Sequence, residues 1–134
     1  MWRTVGSIVA GLVTWAVVVT ILNFGLRAAI PGYPAAETTL QFTMAMKIGR
    51  LTEAALTSIV AGAVVRLISP ARWAPWTVGL IILAMFLPVH VKLWHAFPVW
   101  YHLSFLVPLA PLVAFGAYLV RAAADRETQP ATAS

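Results

Sequence analysis

Val5 to Leu26 is an unbroken run of 22 residues without a charged side chain, and no other feature restricts the folding of this chain so strongly. About 20 predominantly apolar residues, at ~1.5 Å rise each, make a helix that crosses the hydrocarbon core of a bilayer. Inside that core the backbone must satisfy its own hydrogen bonds, so such a run folds as a helix. It follows a short head carrying Arg3, as a signal peptide would. Its length exceeds the usual apolar core of about 7 to 15 residues, however, and no A-x-A site follows Leu26, so an uncleaved anchor is expected.

Three further apolar stretches repeat the pattern, at about 44–68, 76–94 and 99–120. Composition agrees, with 61% hydrophobic and only 10% charged residues, where an ordinary soluble domain carries roughly a quarter charged. Four crossings use up most of the 134 residues and leave no room for a soluble catalytic domain. The expected fold is an all-α membrane protein, a four-transmembrane-helix bundle forming one domain over 1–124, with 125–134 as a disordered polar tail. Between the first two spans, Pro31, Gly32 and Pro34 read as a turn-rich loop and not a helix. Pro75 suits a first helical turn, while Pro88, Pro108 and Pro111 are expected to bend the helices that hold them.

The net charge of +5 comes without a basic run, so nucleic acid is not an expected partner. The lipid bilayer is. The head, the connection between the second and third spans, and the tail collect Arg3, Arg66, Arg72, Arg121 and Arg126 on one side. By the positive-inside rule both termini are expected in the cytoplasm. Trp2, Trp73, Trp76, Trp94, Trp100 and Tyr101 fall at span ends, where interfacial anchors belong. With no cysteine, disulfides, thiolate metal sites, a cysteine nucleophile and c-type haem attachment are excluded. There is no phosphate loop, Ser-His-Asp order, paired carboxylates or H-E-x-x-H, so neither an enzyme nor a metal site is expected.

Polar residues gather at one depth. Counted from the cytoplasmic ends, Glu53 and His90 lie roughly 22 and 21 Å deep, Asn23 reaches about 27 Å, and His102 is one turn into the last span from the outer side. Arg50 precedes Glu53 by three positions and is expected to pair with it, which lowers the cost of holding either in a membrane. Glu53, Arg50, His90, His102, Asn23 and Lys92 are therefore the candidate ligand or proton site. Ala54, Ser58 and Gly62 continue the same face of the second helix, and Ser7 with Gly11 offers a matching small-residue surface on the first.

This layer admits three expectations: mutual hydrogen bonds that fix helix register, a transport or ligand site built on Glu53 with Arg50 and His90, and a b-type haem held by His90 and His102. The outer segment from Pro88 to His102 reads as an aromatic belt with a snorkelling Lys92, or as a docking surface for a partner or a quinone-like head group.

The run Phe-Pro-Val-Trp-Tyr-His-Leu at Phe97 to Leu103, within the four-helix outline, resembles small four-helix inner-membrane proteins of Gram-negative bacteria that have no assigned activity. The resemblance implies a multi-pass protein of the bacterial inner membrane. Small multidrug exporters are similar in size and helix count, but their essential carboxylate lies on the first helix, and the first span here has none. The leading expectation is a non-enzymatic accessory or assembly component, or a homo-oligomer built through small-residue faces, without a cofactor. A small transporter or ligand-binding protein is the alternative.

Overall fold

A computed structural model describes residues 1–131, and within them the chain is entirely helical. The elements are α1 (Trp2–Ala29), α2 (Tyr33–Thr39), α3 (Met44–Ile68), α4 (Ala74–Lys92) and α5 (Val99–Thr128). The helices α1, α3, α4 and α5 are each long and apolar enough to cross a membrane. Consecutive spans run in opposite directions. Thr4 meets Ser69 at 3.1 Å and Trp15 meets Ser58 at 3.3 Å, which sets α1 antiparallel to α3. Phe86 lies against Phe105 and His90 against His102, which does the same for α4 and α5. In the most extensive packing of the bundle, α3 and α5 run parallel.

Glycine sets how closely these helices approach. A Cβ added to Gly62 would collide with the Val113 carbonyl, and one on Gly116 with the Ile59 carbonyl, so the α3 and α5 backbones touch through this reciprocal pair. A Cβ on Gly79 would come within 2.6 Å of the Ala110 Cα, so α4 and α5 are nearly as close. The expected match of Gly62 with α1 is thus corrected. Ser58 does face α1, but Gly62 serves α5, and Gly11 instead receives Val65 and Val78. Ser58 and Gly62, four positions apart, share a face but are offset by about 40° around α3, so one stripe can serve two partners.

The outer surface of the bundle is apolar, and several polar side chains lie inside it. Val5, Val9, Val13, Val17 and Ile21 form an exposed stripe along α1, while Ser7, Glu53, Thr57, Ser58, His90 and His102 are buried. Such an apolar exposed face suits a hydrocarbon surround.

Two boundaries differ from the sequence reading. The expected loop at 27–43 contains α2. Gly32 takes a left-handed conformation (φ 79°) that turns the chain, and Pro34 sits in the first turn of the helix, where its missing N–H costs nothing. The last helix runs to Thr128, so the start of the segment expected to be disordered is helical, with Arg121 and Asp125 one turn apart; residues 132–134 lie outside the described residues. The helices α4 and α5 continue through Pro88, Pro108 and Pro111.

Candidate functional site

Arg50 organises the end of the bundle opposite the chain termini. Thr43 caps α3 by accepting from the Met46 N–H at 3.3 Å, so Arg50 lies less than two turns in. Its Nε donates to the Tyr101 hydroxyl on α5 and its Nη1 to the Tyr33 hydroxyl on α2, each at 3.1 Å. The guanidinium also lies 5.0 Å from the centre of the Phe42 ring, in cation–π range. One planar fork therefore ties three helices and a connecting loop, a geometry that the single ammonium of lysine does not provide.

The short helix α2 is fastened at two places. Tyr33, fully buried, packs with Met46, Leu26, Ile30 and Phe42. Burial holds its hydroxyl above the ordinary phenol range, against the opposing pull of Arg50. Glu37 pairs with Arg27 at 2.8 Å and accepts from Asn23 at 3.3 Å, binding α2 to the end of α1. The segment between the first two spans is thus a cover over the bundle end.

Beneath it His90 and His102 meet nitrogen to nitrogen, Nδ1 to Nδ1 at 2.8 Å, and His102 Nε2 reaches the Trp94 carbonyl at 3.2 Å. With both rings neutral, the Trp94 carbonyl accepts from the His102 Nε2–H, the His102 Nδ1 accepts from the His90 Nδ1–H, and His90 keeps a lone pair on Nε2. Aromatic rings wall the pair: Trp94 stacks on His102 at 4.7 Å and Phe105 lies 4.5 Å from His90. Two imidazoles ligating one iron would stand about 4 Å apart, roughly twice the usual metal–nitrogen distance of about 2 Å. Here Nδ1 meets Nδ1 at 2.8 Å and the ring centroids are 5.1 Å apart, too close for an iron between the two rings, so haem between His90 and His102 does not fit.

Two adjoining cavities, of about 350 and 330 Å³, share Arg27, Arg50, Phe86 and Phe105 in their walls. His90, His102 and Tyr101 line the first; Asn23 and Glu53 line the second. Five of the six sequence candidates are therefore gathered at these cavities. The sixth, Lys92, is exposed at the end of α4 and lines neither.

The pairing among the candidates differs from expectation. No ion pair joins Arg50 to Glu53, because the guanidinium turns toward the two tyrosines. Glu53 is buried, 7% exposed, and its Oε1 has no hydrogen-bond partner among the described residues. The Thr57 hydroxyl, one turn along, shares that condition. Sequence reasoning missed Tyr33, Phe42 and Glu37, which lie in the presumed loop, and assigned Tyr101 to the interfacial belt although it is buried. The available signal was position: Tyr33 and Tyr101 adjoin the same end of the bundle as Arg50, whose N–H groups needed acceptors. No known protein family, curated protein or solved structure matches the chain.

Proposed function

We propose that this chain is a non-enzymatic multi-pass protein of the bacterial inner membrane, with both termini in the cytoplasm, that binds a small amphipathic molecule in the cavities beside Arg50. The observation that carries the reading is the Glu53 carboxyl, buried in a cavity wall with Oε1 unpartnered. Buried polar atoms in native proteins almost always have a partner, and a group without one marks a place where something else supplies it. A role confined to helix register would have Glu53 bonded to a neighbouring helix. Arg50, Asn23 and the histidine pair have such bonds, and Oε1 does not.

The walls describe the ligand. An N–H or O–H donor satisfies Glu53, a second polar group meets the remaining N–H groups of Arg50 or the lone pair of His90 Nε2, and a flat apolar body lies against Phe86 and Phe105. Each cavity falls at the small end of the roughly 300 to 1,000 Å³ range of ligand sites. Loop charge supports the orientation, since the termini share their end of the bundle with Arg66 and Arg72.

Native mass spectrometry of protein extracted in mild detergent tests this reading. The wild type is expected to retain a co-purifying small molecule that Glu53→Gln loses while keeping its helicity and melting temperature. A bare wild-type mass, or equal retention by Glu53→Gln, would overturn it.

A further inference from the structure

At the other end of the bundle, the last turn of α3, the first turn of α4 and the stretch of α5 from Ala114 to Arg121 line a cavity of about 160 Å³. Its wall includes Arg66, Arg72 and Arg121, three of the nine cationic side chains of the protein, together with Trp76 and Tyr118. Almost nothing balances this charge. The ion pairs among the described residues are Arg27 with Glu37 and Arg121 with Asp125, so Arg66 and Arg72 face no carboxylate. The Asp125 carboxylate is 72% exposed and 3.8 Å from Arg121, a loose surface pair that solvent screens. Arg66 spends an N–H on the Pro70 carbonyl and keeps the rest of its fork. No side chain caps the start of α4, whose partial positive charge adds to that of the arginines.

The surroundings name the anion. Trp76 and Tyr118 are exposed and amphipathic, the residue types that sit at head-group level. On the flanks of the same helices, Leu67, Leu80 and Leu119 are exposed and apolar. A free anion has no use for such flanks, whereas acyl chains do. Basic pockets between spanning helices, with a hydrocarbon surface below, suit phosphate esters of lipids.

We propose that this cavity is a binding site for an anionic phospholipid, its phosphodiester held by Arg66, Arg72 and Arg121 and its acyl chains laid over the adjoining apolar faces. The site is separate from the cavities beside Arg50 and does not depend on what they bind.

The test compares retention of phosphatidylglycerol and phosphatidylcholine by the full chain, using native mass spectrometry in mild detergent. The wild type is expected to prefer phosphatidylglycerol, and Arg72→Gln with Arg121→Gln to reduce that preference by about tenfold or more. Arg66 is left intact because it also holds the Pro70 carbonyl. The charge-conserving pair Arg72→Lys with Arg121→Lys is expected to restore most of the preference, and Lys92→Gln, at the far end, to leave it unchanged. Helicity and melting temperature of each variant separate lost binding from lost fold. Equal retention of the two lipids, or a preference that survives in the folded double glutamine variant, would overturn the proposal. Displacement of the lipid by millimolar inorganic phosphate would also overturn it, by assigning the cavity to a free anion.

Discussion

Gly62→Ala tests the packing that holds both ends of the molecule in place. The methyl would fall onto the Val113 main-chain carbonyl, and a carbonyl fixed in a helix cannot step aside as a side-chain tip can. The helices α3 and α5 must therefore part, by on the order of 1 Å, and lose dispersion contacts along their shared face. Overpacking of this kind costs about 1–3 kcal/mol, and the rigid obstacle places this case at about 2–3 kcal/mol, or about 30- to 150-fold in the folding equilibrium. Gly25→Ala is the control, because its added Cβ meets nothing within 4 Å. There alanine gains about 0.8–1 kcal/mol of intrinsic helix propensity over glycine. The two substitutions, chemically identical, should move the melting temperature in detergent in opposite directions. If Gly62→Ala melts with or above Gly25→Ala, the reciprocal glycine contact does not set the distance between α3 and α5.

Two other outcomes follow from the cover over the Arg50 end. Arg50→Lys keeps the charge but reaches at most one of the two tyrosine hydroxyls, each hydrogen bond to a charged group contributing about 1.5–3 kcal/mol. Amide exchange in Tyr33–Thr39 should then speed by about tenfold or more while the centres of α3 and α5 stay protected; unchanged exchange in α2 would dissociate the cover from Arg50. The Tyr33 hydroxyl titrates above its ordinary value of 10.0, so the folded chain holds that proton more tightly than the unfolded one. Its contribution to stability is complete below pH about 10 and is lost as pH rises further, so Tyr33→Phe should flatten the alkaline fall in melting temperature.

The spans were legible because length and charge-free composition decide them almost alone, and Arg50, Glu53, His90, His102 and Asn23 could be placed at one level by counting residues. Bond partners could not be read that way. The i, i+3 spacing permits an Arg50–Glu53 pair, but two tyrosine hydroxyls from distant segments compete for the same guanidinium, and that competition is settled only by tertiary packing. The helix α2 was hidden for a local reason. Proline and glycine mark both a loop and the first turn of a helix, and in seven residues the helical period has too little length to decide between them. Gly62 was recognised as a close-approach position, yet which neighbour it meets depends on the order of helices around the bundle.

The parallel pairing of α3 with α5 has a consequence for how the protein is made. A nascent chain enters the bilayer span by span, and α3 emerges two spans before the partner against which it buries most surface. Until the last span arrives, the arginine of α3 has Tyr33 and Phe42 beside it, but Tyr101, the other hydroxyl that accepts from the guanidinium, has yet to be synthesised. Biogenesis must therefore hold a half-built protein whose α3 lacks its main packing partner, and a product truncated after α4 should be removed by membrane proteases instead of accumulating.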